Sequence, residues 1–117
     1  MHAASGANLN REFPLMKLQR YAKNPVLSPL PGSDWQSTVT TNPGVWYDEA
    51  RREVVMLYRA AGHDAEHKVH LGLAVSKNGY DFERVSDRPV FSPSVDGFDA
   101  GCGEDPRIMK IGERFYV

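Results

Sequence analysis

Short apolar runs separated by Gly, Pro, Asn and Asp recur along most of the chain, and helical periodicity is hard to find. Residues 54–58 are apolar on both faces, which predicts an interior strand that is covered on each side. Residues 69–76 lead into Asn78-Gly79 and then into residues 81–85. Because Asn-Gly supplies the positive backbone angles of a tight turn, this stretch predicts a β-hairpin.

Three sequence patterns recur at an offset of about 60 residues. Residues 24–29 resemble residues 88–93, and residues 52–56 resemble residues 113–117. In the third pair, Asn42-Pro43-Gly44-Val45 corresponds to Asp105-Pro106-Arg107-Ile108. Tandem all-β units of this length predict a β-propeller, in which the innermost strands begin near a common axis, so Asn42 and Asp105 are expected to be neighbours. A β-sandwich with two similar Pro-containing turns is the alternative.

The repeat length indicates how much of the fold the chain holds. It contains about two units, whereas a closed propeller needs at least about four blades. Residues 112–117 resemble a turn followed by a strand that is cut short. We therefore expect residues 17–117 to form the N-terminal part of an incomplete propeller domain, after a loose polar extension over residues 1–16. Exposed sheet edges would favour self-association, so a homo-oligomer is an expected partner.

Composition narrows the class of protein. With 41% hydrophobic and 25% charged residues the chain is globular, and its net charge of -1 argues against binding to nucleic acid or to an anionic membrane. No run approaches the roughly 20 apolar residues of a membrane span, and no signal-peptide-like segment opens the chain. Cys102 is the only cysteine, which excludes an intramolecular disulfide framework. We expect a cytoplasmic protein that binds a small neutral ligand.

Gly103-Glu104-Asp105-Pro106-Arg107 places two carboxylates and a guanidinium around a rigid Asp-Pro step. Asp105 is expected at the start of an inner strand, where Glu104 and Arg107 can hold it either protonated or ionised. Such control of a carboxyl group suits cleavage of a glycosidic bond. The alternative is that Asp105 caps a turn and Pro106 only fixes the start of the strand.

Arg59 ends the predicted interior strand, on the face that Val55 and Leu57 share. A charge at the end of an apolar stripe requires a partner. A sugar hydroxyl or a carboxylate would serve, and an ion pair with Asp48 or Asp64 is the purely structural alternative.

Other polar residues are candidates for a ligand pocket. Asn42 offers an amide that binds hydroxyl groups, although Asn before Pro is also ordinary turn chemistry. His63 and Asp64 lie on the polar loop before the hairpin, either at the rim of a pocket or simply in solvent. His63, His67 and His70 have the spacing of metal ligands on a helix, but the strand predicted from residue 69 breaks that register, so no metal is expected.

These motifs together resemble glycoside hydrolase family 130, the mannoside phosphorylases and β-mannosidases. The resemblance covers residues 24–117, and its five motifs occur in consistent order. They are Asn42-Pro43-Gly44, residues 56–60, residues 71–76, Asn78-Gly79 and residues 103–107. The resemblance implies an all-β, five-bladed β-propeller, of which this chain holds roughly the first two blades. It also implies inverting cleavage of β-mannosides, with phosphorolysis to mannose 1-phosphate favoured over hydrolysis, inorganic phosphate as co-substrate and no cofactor.

The resemblance also implies roles for individual residues. Asp105 corresponds to the general acid, whose proton is thought to pass through a mannose hydroxyl, and Asn42 and Arg59 correspond to mannose contacts. The predicted substrate-binding set is completed by residues of the same motif and of the loop after Arg59, namely Glu104, Arg107, His63 and Asp64. The family's phosphate-binding residues lie in later blades, so the fragment alone is expected to be inactive.

Two other functions remain open at this point. A five-bladed glycosidase of the arabinanase or fructosidase kind also builds its site from acidic residues on inner strands. Retaining fructosidases, however, place a nucleophilic carboxylate where this chain has Asn42, and an amide cannot form the glycosyl intermediate. A non-catalytic propeller that binds carbohydrate would need only blade repeats and exposed aromatic residues.

Overall fold

The computed structural model describes residues 17–64, 66 and 68–117. The predicted extension over residues 1–16 lies outside the described residues. Within them the structure is all-β, as predicted, and holds no helix that could cross a membrane. In chain order the strands are β1 (Val39–Asp48), β2 (Glu53–Ala61), β3 (His70–Ser76), β4 (Glu83–Arg84), β5 (Met109–Ile111) and β6 (Arg114–Tyr116).

The first four strands form one antiparallel sheet in the order β1-β2-β3-β4. β2 lies in its middle and contains the predicted interior strand, with Met56 paired to Val45 of β1 and to Ala74 of β3. Side chains along β2 alternate between a buried face and a half-buried face. Arg59 lies on the half-buried face, together with Val55 and Leu57.

The apolar core lies on the Met56 face of this sheet. Trp35, from the segment before β1, stacks on Tyr58 with 6.2 Å between ring centroids. The Trp35 indole N–H donates to the Asp87 carbonyl at 2.9 Å, and the Tyr58 hydroxyl donates to Oε1 of buried Gln36 at 2.8 Å. These bonds satisfy polar atoms beside the core and fix the segment before β1 on the sheet.

β1 begins earlier than the sequence predicted. The repeat predicts that an inner strand begins at Asn42, but β1 starts at Val39. The pairing of β1 with β2 is regular up to Thr41 and resumes at Gly44. Pro43 has no N–H to donate to the ladder, and a bulge is where a strand accommodates such a residue. The irregularity also takes Asn42 out of regular pairing with β2.

The predicted hairpin is present, but its turn is longer than Asn-Gly suggested. Residues 77–82 connect β3 to β4, and within them only Gly79 has a positive φ, of 78°. Asn78 acts through its side chain instead, because its Oδ1 accepts from the N–H groups of Tyr80 and Asp81 at 2.9 Å each. The turn is therefore a side-chain-capped loop rather than a two-residue turn.

β5 and β6 form a second, two-stranded antiparallel sheet. Both strands come after Asp105 in the chain. In the same way, the later part of β1 and the whole of β2 come after Asn42, in agreement with the sequence repeat. Trp46 of β1 packs edge-on against Phe115 of β6, with ring centroids 6.3 Å apart. Two sheets built from repeated sequence therefore stand side by side, and the five-bladed propeller stays a prediction.

Candidate active site

Asn42, Arg59 and Asp105 meet where the two sheets adjoin. Asn42 Nδ2 donates to Asp105 Oδ1 at 2.6 Å, and Arg59 Nη1 donates to the same oxygen at 3.1 Å. Arg59 Nη2 also donates to Glu104 Oε1 at 3.3 Å. The structure thus brings together the amide and the carboxylate that the repeat placed near a common axis, and it adds the guanidinium of Arg59.

The backbone at the two repeated Pro steps explains why these side chains converge. Asn42 has a φ of 43° and Asp105 a φ of 44°, in the left-handed region that Asn and Asp tolerate better than most other residues. A residue before proline normally takes an extended conformation, so each of these positions carries strain of about 1–3 kcal/mol. Equivalent strain at two adjacent polar positions is typical of a functional site.

A close backbone contact holds the two repeats together at this point. A Cβ placed on buried Gly44 would lie 2.6 Å from the Pro106 carbonyl oxygen. Only glycine therefore lets β1 approach the Pro106-Arg107 peptide so closely. The sequence repeat included Gly44 but gave no sign of this contact, because the equivalent residue of the second unit is Arg107.

The contacts of Asp105 favour its ionised form. Hydrogen bonds from Asn42 and then from Arg59 lower the pKa of the Asp105 carboxyl below its ordinary value, and the charges of Arg59 and Arg107 act in the same direction. The sequence had left open whether the neighbours would keep Asp105 protonated or ionised. The Asp105 side chain is 46% exposed, so a ligand can reach its carboxylate.

Arg59 does not pair with Asp48 or Asp64, the two structural partners that the sequence suggested. Asp48 instead accepts from the backbone N–H of Ala50 at 3.0 Å, and Asp64 lies against His70. The reason is strand alternation, because it directs Arg59 to the face of β2 that meets the second sheet. Its partners are the two carboxylates of residues 104 and 105.

Arg107 folds back over the Asp-Pro step. Its Nη1 donates to the carbonyl oxygen of Asp105 at 3.1 Å and to that of Pro106 at 3.0 Å. Arg107 therefore supports the backbone of the cluster, and its charge acts on the Asp105 carboxylate. A direct contact between Arg107 and a sugar stays a prediction.

The remaining predicted site residues lie on the loop between β2 and β3. His63 Nε2 is 3.3 Å from Thr38 Oγ1, and Asp64 Oδ2 is 3.1 Å from His70 Nε2. The described contacts do not join His63 or Asp64 to Asp105, so their place at the rim of a pocket stays a prediction. His67 lies outside the described residues, and the described part of the chain contains no group of three metal-ligating side chains.

Glu104 makes a further contact that no motif indicated. Cys102 Sγ donates to Glu104 Oε1 at 3.3 Å, and this is the same oxygen that accepts from Arg59. The hydrogen bond to the Glu104 carboxylate raises the pKa of the Cys102 thiol, with smaller contributions from desolvation and from the charge of Glu104.

Replacing Glu104 by Gln is therefore expected to make Cys102 react severalfold faster with a disulfide reagent near neutral pH. Loss of the carboxylate lowers the thiol pKa, and the thiolate is the reactive form. The rate of reaction of the whole chain with Ellman's reagent measures this. Glu113→Gln, at the β5–β6 turn, is the matched control and should react like the wild type. Equal rates for all three proteins would contradict the contact.

A wide cleft lies elsewhere, on the Met56 face of the first sheet. Its lining is largely apolar, with Val26, Leu27 and Pro43 among its residues, and none of the described residues that line it is a carboxylate. Because carboxyl groups are the usual acids in cleavage of glycosidic bonds, the Asp105 cluster is the better candidate for this chemistry.

Comparison with known proteins identifies the family. The family model for glycoside hydrolase family 130, described as beta-1,4-mannooligosaccharide phosphorylase, matches residues 14–117. The chain belongs to glycoside hydrolase family 130. The resemblance drawn from its motifs is confirmed, and the arabinanase and fructosidase alternatives are set aside.

Two curated relatives of this family 130 chain are phosphorylases from Thermoanaerobacter sp. (strain X514). One, a 1,2-beta-oligomannan phosphorylase, is 33% identical over 106 residues, which cover 88% of this chain and 35% of that protein. The other, a beta-1,2-mannobiose phosphorylase, is 30% identical over 114 residues, which cover 88% of this chain and 36% of that protein. The chain thus spans about a third of the length of the curated relatives it matches.

A solved structure supports the same relationship. It is described as showing that this family of mannoside phosphorylases contains glycoside hydrolases that target beta-1,2 mannosidic linkages in Candida mannan. It superimposes on the family 130 chain with a TM-score of 0.65 at 31% identity, over 80% of this chain and 31% of that one.

Proposed function

We propose that this family 130 chain supplies the general acid and part of the mannose site of an inverting phosphorylase that cleaves β-linked mannooligosaccharides. The observation that carries the proposal is the contact of Asn42 and Arg59 with one oxygen of Asp105. These are the positions that correspond to two mannose contacts and to the acid. Because the names of both curated relatives specify 1,2-β-linked mannosides, β-1,2-mannooligosaccharides are the proposed substrates, with inorganic phosphate as co-substrate.

The cluster suggests how the acid acquires its proton. Asn42 and Arg59 donate to Asp105, and the same two donors would bind hydroxyl groups of a mannose. A sugar that takes over these donors removes the contacts that lower the Asp105 pKa, so the carboxyl group binds a proton more readily. A general acid must carry that proton when the bond breaks. The proton would then pass through a mannose hydroxyl to the leaving oxygen, while phosphate attacks the anomeric carbon from the opposite face.

We assign this activity to a protein of the relatives' length, built as a five-bladed propeller. The residues described here would supply parts of two adjacent blades. We expect the 117 residues alone to be inactive, because the phosphate-binding residues of the family are expected in later blades than the two that this chain supplies. The cytoplasmic location and the self-association expected from the sequence remain predictions.

Hydrolysis is the second candidate, since the description of the solved relative includes hydrolases of this family. Water would then take the place of phosphate on the face opposite Asp105. An inverting hydrolase needs a second carboxylate about 6.5–9.5 Å from the acid. Glu104 and Asp105 both contact Arg59, so the two carboxylates lie on the same side of the cluster. Glu104 therefore does not provide a base on the face of the sugar opposite Asp105.

A chimera tests the proposed function. The 117-residue chain replaces the matched segment of the 1,2-beta-oligomannan phosphorylase, and the chimera is incubated with β-1,2-mannobiose or β-1,4-mannobiose, with and without phosphate. We expect α-mannose 1-phosphate from the β-1,2-linked substrate only when phosphate is present, measured by phosphorus NMR. The relative without its matched segment is the negative control. Free mannose formed at the same rate without phosphate, or no turnover by a folded chimera, would contradict the proposal.

A further inference from the structure

Residues 69–71, at the start of β3, contact both ends of the segment that leads to Asp105. The Leu71 N–H donates to the Phe91 carbonyl at 3.0 Å, and the Gly103 N–H donates to the Val69 carbonyl at 3.2 Å. Residues 92–102 therefore form a loop, and the residues that flank it are both hydrogen-bonded to the start of β3. We call this segment loop 92–102. Compact loops with adjacent ends are frequently functional. Glu104 and Asp105 follow immediately after its second anchor.

A relay of three side chains reinforces the first anchor. His70 Nδ1 is 2.9 Å from Ser92 Oγ, and His70 Nε2 is 3.1 Å from Asp64 Oδ2. The His70 side chain is only 11% exposed and packs edge-on against Trp35, with 6.2 Å between ring centroids. The relay therefore joins loop 92–102, through β3, to the loop between β2 and β3.

With a neutral imidazole, the partners fix the direction of the hydrogen bonds in the relay. A carboxylate only accepts, so Asp64 requires the hydrogen on His70 Nε2. In the neutral imidazole the other nitrogen, Nδ1, is then an acceptor, and it receives the hydroxyl hydrogen of Ser92. Each member thus has a defined role, and loss of any one leaves a neighbour without its partner.

The order Asp64, His70, Ser92 is also the order of groups in a hydrolase triad, but the local backbone argues against a nucleophilic serine. In many such hydrolases the N–H of the residue after the nucleophile stabilises the oxyanion. Here that residue is Pro93, which has no N–H. The relay connects two loops at the end of the sheet, and this points to a role in positioning.

We propose that His70 is a positioning residue for Asp105. By hydrogen bonding to Ser92 and Asp64, His70 keeps loop 92–102 against the start of β3. The backbone hydrogen bond between Gly103 and Val69 then stays formed, and the carboxylates of residues 104 and 105 keep their ion pairs with Arg59. The inference rests on the proposed function only in treating Asp105 as the acid. The charged and polar groups that act on Asp105 are Asn42 from β1, Arg59 from β2 and Arg107 from its own segment. Glu104 shares Arg59 with Asp105, and Cys102 contacts Glu104.

The test is a carbon-13 NMR titration of the Asp105 side-chain carboxyl in the whole 117-residue chain. We expect the wild type to titrate below the ordinary value of an aspartate. In Ser92→Ala and His70→Ala the midpoint should rise towards that value, because Asp105 then loses contact with Asn42 and Arg59. Ser33→Ala, on the loop before Trp35, is the matched control and should titrate like the wild type.

Two isosteric variants separate positioning from packing. Asn places an amide oxygen near the position of His70 Nδ1 and can still accept from Ser92, whereas Gln reaches only the position of Nε2 and can still donate to Asp64. We expect His70→Asn to keep the low midpoint and His70→Gln to lose it.

Three results would overturn the proposal. They are unchanged midpoints in folded variants, equal behaviour of the Asn and Gln variants, and unfolding of Ser92→Ala, which would make the relay a stability element. Because the titration measures no turnover, its outcome is independent of whether the chain belongs to a phosphorylase.

Discussion

Asp105→Asn is expected to reduce phosphorolysis of β-1,2-mannobiose by about 10²–10⁴-fold, the usual contribution of a positioned general acid. Asparagine keeps the size of the side chain and can still accept from Asn42 and Arg59, so the sheets should remain together. What it cannot do is deliver a proton to the leaving oxygen. The loss should therefore fall on kcat, with a smaller change in KM. Steady-state rates of the chimera with and without the substitution measure this.

A second feature distinguishes loss of the acid from loss of structure. An activated mannoside whose leaving group needs no proton should recover much of its turnover in Asp105→Asn, because only protonation of the leaving group is missing. Asp96→Asn removes an exposed carboxylate from loop 92–102 and serves as the matched control. Full activity of Asp105→Asn on β-1,2-mannobiose would remove Asp105 as the acid, whatever its contacts.

The sequence was sufficient for the central strands and for the meeting of the two repeats. β2 and β3 were predictable because their apolar runs are long enough to be read from side-chain pattern alone. The proximity of Asn42 and Asp105 was predictable for a different reason, since repeated units place equivalent residues at equivalent points of neighbouring sheets. Their nearly equal φ values of 43° and 44° show that the repeat extends to the backbone.

The features that the sequence did not predict depend on tertiary contacts. The bulge at Asn42-Pro43 requires knowledge of the pairing between β1 and β2, and the pattern of one strand does not contain it. The longer turn after β3 depends on hydrogen bonds that the Asn78 side chain makes to the backbone, which compete with the tight turn that Asn-Gly favours. The partner of Arg59 could not be chosen by distance along the chain, because Asp105 lies 46 residues away.

Gly44→Ala is expected to lower the free energy of unfolding by about 1–3 kcal/mol, as overpacking of a buried site does. Its new methyl group would lie 2.6 Å from the Pro106 carbonyl oxygen and 3.0 Å from the Pro106 carbonyl carbon. These are backbone atoms, so no side-chain rotation can relieve the clash, and β1 must move away from the Pro106-Arg107 peptide. That movement separates Asn42 from Asp105. Chemical denaturation measures the first effect, and the Asp105 carboxyl titration measures the second.

The direction of the second effect follows from the contacts of Asp105. Asn42 makes the largest contribution to its lowered pKa, so separation of the sheets should raise the titration midpoint. Gly101→Ala is the matched control, because a Cβ at Gly101 meets no atom within 4 Å. A Gly44→Ala protein with wild-type stability and an unchanged Asp105 midpoint would show that the two sheets do not make this contact in solution. The arrangement of the candidate active site would then require a different explanation, since it depends on this approach of one backbone to another.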